Sequence, residues 1–288
     1  MKILLTGAAG FTGQPFVRLA QTTGHSVSPL RANLTDAAAV QREVLAAAPE
    51  AVVHLAAISF VGHEDNSAFY NVNVIGTTNL LAALARLPQM PRCILLASSA
   101  NVYGNCDASP ITEAQPAAPI NHYAMSKLAM ERMARSFGDK LPIVITRPFN
   151  YTGPGQDVNF VIPKLVEHFA QRAPSIALGN LHVEREFNDV QMVCSAYLQL
   201  LQHGEPGETY NVCSGQPYTL QHVIDTLTRI TGHQIQVEVN PAFVRANEVH
   251  RLCGSPAKLQ ALLARHGCML DNPPLEDTLR RMLAAAGT

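Results

Sequence analysis

Tryptophan is absent and charge is scarce. Lys, Arg, Asp and Glu make up 15% of the 288 residues and nearly cancel, leaving a formal net charge of -1 at pH 7. So weak a field argues against the basic stripe that grips nucleic acid or an anionic membrane surface. No apolar run nears the ~18 residues needed to cross a bilayer. The opening residues 1–5 (MKILL) run straight into glycines, unlike a cleaved secretory leader. Six cysteines (Cys93, Cys106, Cys194, Cys213, Cys253, Cys268) are scattered without a CxxC. That pattern argues against a disulfide frame or a zinc site and for reduced thiols in a cytoplasm. Internal repeats and low-complexity tracts are missing. What is present, 47% hydrophobic residues in a chain of this length, suffices for one large α/β unit or two closely joined lobes.

The first half alternates strand-like and helix-like runs. Residues 2–5 read as a short apolar strand and residues 14–21 as a helix, with TGAAGFTG (6–13) between them. Gly7, Gly10 and Gly13 in that place let backbone amides approach a pyrophosphate, and the helix N-terminus adds a favourable dipole. A tight turn with no ligand is the alternative. The next strand, about 25–30, ends without the acidic residue that would hold a ribose 2′-hydroxyl. Ser28, Arg31 and Asn33 stand there instead. Arg31 could meet a 2′-phosphate or simply be solvated, so the reading favours NADP(H) and leaves NAD(H) open. After a helix capped at Asp36, the continuous apolar run 51–57 reads as a buried parallel strand whose small Ala56 and Ala57 let a cofactor pass close. His54 within it reads as a satisfied core histidine. A fourth strand, 93–97, delivers Ser98 and Ser99 to its carboxyl end, where ligands sit in parallel sheets.

A helix then starts at Asn121, a plausible N-cap. Met125, Leu128, Ala129 and Met133 supply its apolar stripe. Tyr123 and Lys127 lie four apart and share one face. An ammonium beside a phenol favours the phenolate, and a tyrosine tuned in this way can exchange a proton near neutral pH. By itself the pair is equally a surface lysine beside a half-buried tyrosine.

Taken together, TGAAGFTG, HLAA, NVNVIGTTNLL, ASSANVYG, YAMSK and RPFNYTGPGQ resemble, in order and spacing, the extended short-chain dehydrogenase/reductase family of nucleotide-sugar enzymes. The likeness covers nearly the whole chain. Segments 159–164, 183–190, 210–215 and 244–249 narrow it to the branch acting on GDP-sugars. The resemblance implies a Rossmann-type doubly wound sheet over 1–150, with residues of about 189–213 returning to it. A discontinuous nucleotide-sugar lobe would then span 151–188 and 214–288. It implies Ser99, Tyr123 and Lys127 as the catalytic set. It places Gly7, Gly10, Phe11, Thr12, Gly13, Arg31, Asn33, Leu34, Leu55, Ala56, Ala57, Asn73 and Pro148 on the cofactor, together with Tyr123 and Lys127. Substrate would meet Ser98, Asn101, Asn150, Val161, Lys164, Arg185, Asn188, Arg245 and Glu248. Arg185 and Arg245 are the guanidinium groups suited to a diphosphate, and Glu248 could accept from a guanine edge or a ribose. The alternatives are a solvated Lys164, Arg185 paired with Glu184 or Glu186, and Glu248 paired with Arg251.

Departures from the branch select an activity. The 4,6-dehydratases carry a glutamate two residues after the active-site serine or threonine; Asn101 stands here and cannot exchange a proton. The cysteine and histidine of the epimerase-reductases fall at Ala100 and Phe160. The resemblance therefore implies NAD(P)H-dependent reduction of the C4 ketone of a GDP-4-keto-6-deoxy hexose. A nucleotide-sugar 4-epimerase with tightly held NAD and a dehydratase are the alternatives. The family also implies a homodimer or dimer of dimers.

Overall fold

The computed structural model describes residues 1–59, 65–240 and 250–287. The chain opens with β1 (Lys2–Thr6), α1 (Gly13–Thr22), β2 (Ser26–Pro29), α2 (Ala37–Ala47) and β3 (Ala51–His54). There follow α3 (Asn66–Tyr70), a π-helical stretch (Asn71–Gly76), α4 (Thr77–Leu84), β4 (Ile94–Ala97), a 3₁₀ turn (Ala100–Tyr103), α5 (His122–Arg135) and β5 (Ile143–Pro148). These strands form one parallel sheet, joined at its edge by a strand from much later in the chain: β10-β5-β4-β3-β1-β2. The strands are buried on both faces, as the near-continuous apolar runs require. One face holds Ile3, Leu5, Phe16 and Val53 against Val193, Tyr197 and Leu263. The other packs Leu4, Val52 and Leu96 against Val40, Leu80 and Met130.

Between β5 and the edge strand the chain forms β6 (Tyr151–Thr152), α6 (Val161–Ala170), β7 (Ser175–Leu178), β8 (Glu184–Glu186), β9 (Asn188–Asp189) and α7 (Val190–His203). It then returns as β10 (Thr209–Val212). Register pairing of Thr209 with Ile145 and of Val212 with Pro148 seats β10 against β5. Beyond it come β11 (Pro217–Thr219), α8 (Leu220–Thr231), β12 (Gln236–Val239), β13 (Arg251–Leu252), α9 (Ala257–Arg265) and α10 (Leu275–Ala286). A separate core of Leu165, Phe169, Ile176, Val223, Leu227 and Leu279 joins α6, β7, α8 and α10. Buried Asp189 ties this lobe to the sheet: it caps α7 through Gln191 N (2.7 Å) and accepts from Thr278 Oγ1 on α10 (2.7 Å). Among the described residues no helix is long and apolar enough to cross a membrane.

One detail differs from the sequence reading. The apolar stripe expected on α5 is not the buried face. Tyr123, Ala124, Ser126, Lys127, Met130, Glu131 and Ala134 point inward, and Met125 is 44% exposed. Polar residues can take the inner face because each finds a partner there. Residues 66–84 form three consecutive helical pieces, with Asn73 on a widened π turn, a form often seen at functional sites.

Candidate active site

The carboxyl ends of β1, β3, β4 and β5 meet along one edge, and the glycine-rich turn lies there. Gly7 has φ +71°, and a Cβ on it would stand 2.9 Å from Ala56 N. On Gly13 a Cβ would fall 2.1 Å from Gly7 O and 2.7 Å from Ala8 Cα. The turn is therefore bare backbone folded on itself and against the end of β3, a shape only glycine permits. α1 starts there with no side-chain cap and no acidic residue in its first turn. An uncapped N-terminus beside exposed backbone suits a pyrophosphate, so the residues present fit a dinucleotide. The Thr12 hydroxyl, which might have capped α1, instead bonds the Tyr151 hydroxyl at 2.8 Å, while Tyr151 stacks on Phe11 with centroids 5.8 Å apart. Sequence reasoning missed this clasp between residues 139 apart; nothing local announces it.

Ser99, Tyr123 and Lys127 converge at the end of β4. Ser99 caps the 3₁₀ turn, its Oγ accepting from Asn101 N at 3.2 Å, and its hydroxyl is near enough to the Tyr123 phenol to favour the ionised form. Lys127 is 5% exposed, and its Nζ donates to Ala97 O at 2.8 Å. The phenol does not sit low here. Burial pushes it above its ordinary value, and the Ser99 hydroxyl opposes that rise. Burial likewise draws the Lys127 ammonium down to about 8, with Glu131 acting in the opposite direction. Desolvation outweighs the Ser99 hydroxyl at Tyr123 and the Glu131 charge at Lys127, which corrects the expectation that the lysine leaves the tyrosine acidic in the protein alone.

His54 is the core histidine expected. Thr6 Oγ1 accepts from Leu55 N (3.1 Å) and Ala56 N (3.0 Å), so its proton goes to His54 Nδ1 at 2.7 Å. Nε2–H then donates to Thr77 Oγ1 at 2.8 Å, which donates to Asn73 O at 2.7 Å. Burial, with a smaller contribution from Lys127, brings this imidazole down to about 3, so it stays neutral. The Asn73 side chain is engaged by protein: Oδ1 accepts from Ile58 N, and Nδ2 donates to Ile58 O and to Ser126 Oγ.

The remaining sequence candidates fall as follows. Arg31 is exposed, its backbone N–H donating to Glu43 Oε2 at 2.8 Å. Asn33 Oδ1 closes a turn onto Thr35 N (3.0 Å), and Leu34 is buried beneath Gly76. Leu55, Ala56 and Ala57 follow β3, and Pro148 ends β5. Ser98 is 3% exposed, and its Oγ has no partner. The Asn150 carbonyl accepts from Asn188 N and Nδ2, leaving Asn188 Oδ1 buried and unpartnered. Val161 begins α6, and Lys164 Nζ donates to Ala177 O at 3.0 Å. Arg185 on β8 donates to Glu184 O (2.8 Å) and His250 O (3.3 Å). The carboxylates offered as its alternatives are engaged elsewhere: Glu184 pairs with Arg251, and Glu186 accepts from Ser214 and from the Gly254 amide. Arg245 and Glu248 lie outside the described residues.

A parallel sheet with a glycine turn after its first strand, and a serine, tyrosine and lysine at its carboxyl edge, defines a nicotinamide-dinucleotide enzyme of the short-chain dehydrogenase/reductase type. A family model described as GDP-mannose 4,6 dehydratase matches residues 19–264. GDP-6-deoxy-D-talose 4-dehydrogenase of Aggregatibacter actinomycetemcomitans is 35% identical over 269 residues, covering 91% of either chain. GDP-6-deoxy-D-mannose reductase of Pseudomonas aeruginosa is 36% identical over 273 residues, covering 90% of this chain and 89% of the other. The solved structure of RMD from Pseudomonas aeruginosa complexed with NADPH is 32% identical. It superposes with a TM-score of 0.91 and covers 100% of this chain and 99% of that one. The chain belongs to the GDP-mannose 4,6 dehydratase family of nucleotide-sugar enzymes.

Proposed function

We propose that this protein reduces the C4 ketone of a GDP-4-keto-6-deoxy hexose, with NADPH as the preferred donor. The observation that carries the reading is the convergence of Ser99, at the end of β4, with Tyr123 and with Lys127 one turn along α5, whose amine is held by the Ala97 carbonyl. The two GDP-sugar relatives support the substrate class. The sugars they are named for differ in configuration at C4, and both lead to the same 4-ketone. Asn101 in place of a carboxylic acid supports reduction over loss of water.

The bound dinucleotide supplies a hydride. Ser99 and Tyr123 hold the ketone oxygen between two hydroxyls, and Tyr123 gives that oxygen its proton. Lys127, fixed by the Ala97 carbonyl, holds the nicotinamide ribose and provides positive charge close to the phenol. The backbone of residues 7–13 holds the pyrophosphate. Lys164, Arg185 and Asn188 are the described residues that would serve the nucleotide diphosphate. Exposed Arg31 and the lack of an acidic residue at the end of β2 favour a 2′-phosphate, and the NADPH complex of the relative supports that preference. Exposed Met125 and Ile75 (44% and 51%) support a homodimer through α5 and the π-helical stretch. Six free cysteines suit a reducing cytoplasm.

The test offers NADPH with GDP-, UDP- and dTDP-linked 4-keto-6-deoxy sugars to the purified protein. We expect one NADPH oxidised per GDP-sugar ketone consumed, with kcat falling roughly 10²- to 10⁴-fold in Tyr123→Phe. Interconversion of UDP-hexoses with no added cofactor, or an unchanged rate in Y123F, would overturn the proposal.

A further inference from the structure

Among residues 7–13 only Phe11 and Thr12 carry a side chain larger than methyl. One residue from a distant segment engages both. The Tyr151 hydroxyl bonds Thr12 Oγ1 at 2.8 Å, and the Tyr151 ring lies on that of Phe11 with 13° between their planes. Thr12 is 9% exposed, and its carbonyl accepts from Phe16 N at 3.2 Å and from Cys194 Sγ of α7 at 3.6 Å. Within the turn the bonds are local: Gly10 N to Gly7 O at 3.0 Å, Gln14 N to Gly10 O at 3.1 Å and Gln14 Nε2 to Ala9 O at 3.0 Å.

The glycines make this backbone costly to order, because glycine loses more conformational freedom than any other residue. A turn that meets a diphosphate through its amides binds more tightly when it is already fixed. The tether that fixes it comes from the far end of β5. Tyr151 opens β6, whose register sets Tyr151 against Asn188 of β9, and Asp189 next along β9 holds α7 and α10. Gly153 closes the fit: a Cβ on it would stand 2.6 Å from Val190 Cγ1 and 3.8 Å from Phe11 Cζ. The backbone around Tyr151 is therefore anchored independently of the turn its side chain reaches. A phenylalanine at 151 would stack on Phe11 as well. The hydroxyl adds a directional bond to the residue that leads into α1.

We propose that Tyr151 is a positioning residue for the dinucleotide: its hydroxyl, acting through Thr12, holds the backbone amides at the start of α1 in the pose that receives the pyrophosphate. The inference rests on the reading of residues 7–13 as the pyrophosphate site. In this role Tyr151 touches neither the ketone nor the nucleotide sugar. Loss of its hydroxyl therefore lowers cofactor affinity and leaves GDP affinity unchanged.

The experiment measures NADPH and GDP binding separately by calorimetry, with Tm alongside. Tyr151→Phe removes one oxygen and keeps the ring stack. Its NADPH affinity should fall roughly three- to tenfold, the range of one lost hydrogen bond, with GDP bound as before. Tyr151→Phe and Thr12→Val each strand a buried hydroxyl, so each should lower Tm. The double variant replaces both partners by apolar groups of similar shape, which is close to neutral for stability. Its Tm should return toward the wild-type value while its NADPH affinity stays low. Recovery of affinity together with Tm would reveal a purely structural contact and overturn the proposal. An equal loss of GDP affinity in Y151F would mark a general loosening and overturn it too. Wild-type NADPH affinity in Y151F does the same, and a loss confined to T12V would then put the Thr12 hydroxyl on the phosphate itself. If the wild-type protein binds GDP but neither NADPH nor NADH, the cofactor reading fails and this proposal with it.

Discussion

At the scale of single residues, Lys127 is where function and stability conflict. Its folded-state amine titrates at about 8 because it is buried, against roughly 10.4 in an unfolded chain. Below pH 8 the unfolded chain is protonated freely while the fold must desolvate the charge, so folding carries the full penalty. As pH rises from 8 to about 10.4 the penalty fades, because the unfolded state then binds more protons than the native one. Lys127→Met should therefore be more stable than the wild-type protein at pH 7, by on the order of 2–3 kcal/mol, while losing nearly all activity. Urea unfolding of both proteins at pH 7 and pH 10 checks this; a gain that does not shrink with pH would mean that the amine's charge is not the cause. The same logic explains why Ser99 stands beside Tyr123. A phenol pushed up by burial is drawn part of the way back by a neighbouring hydroxyl that can donate to its ionised form.

At the scale of elements, the glycine turn and α5 were legible to different degrees. Residues 6–13 announce their own conformation, because glycines after a strand and before a helix have few structural uses. The prediction at this level is sharp. Gly13→Ala puts a methyl 2.1 Å from the Gly7 carbonyl, so the turn must open. NADPH affinity measured by calorimetry should fall at least about 100-fold, with a lowered Tm. An unchanged affinity would mean that the turn does not hold the pyrophosphate. α5 was legible as a helix, capped by Asn121 through Ala124 N at 2.9 Å, but its orientation was not. An apolar count put Met125 inside, whereas the inward face is the one bearing Tyr123, Lys127 and Glu131. Helical spacing shows which residues share a face; only the residues packed against it, here Ala97, Ser99 and Arg147, show which face turns in.

At the scale of the molecule, the chain leaves the parallel sheet to build a second core and then returns to it. β5 leaves the sheet into β6 and the lobe beyond, and β10 brings the chain back to pair with β5. Glu186 and Asp189, buried on either side of Phe187 and Asn188, are anchors at this junction: one accepts from the Ser214 and Gly254 amides, the other from α7 and α10. The opposite side of α5 leaves Met125 and Ile75 uncovered. Met125→Glu should convert the expected dimer into a monomer in sedimentation equilibrium, since a charge on an apolar contact must be desolvated unpaired. A monomeric wild-type protein would refute the dimer.

The amino-acid sequence alone determined the strand–helix alternation, the glycine turn, the YxxxK spacing and the family. Each depends on periodicity or on residue types a few positions apart, and local steric and hydrogen-bonding rules are enough to read them. Tertiary structure alone decided that Glu131 meets Arg147, that the Thr12 hydroxyl is engaged by Tyr151, and that burial raises the Tyr123 phenol. Those outcomes depend on which distant groups share a desolvated space, and no local spacing specifies that.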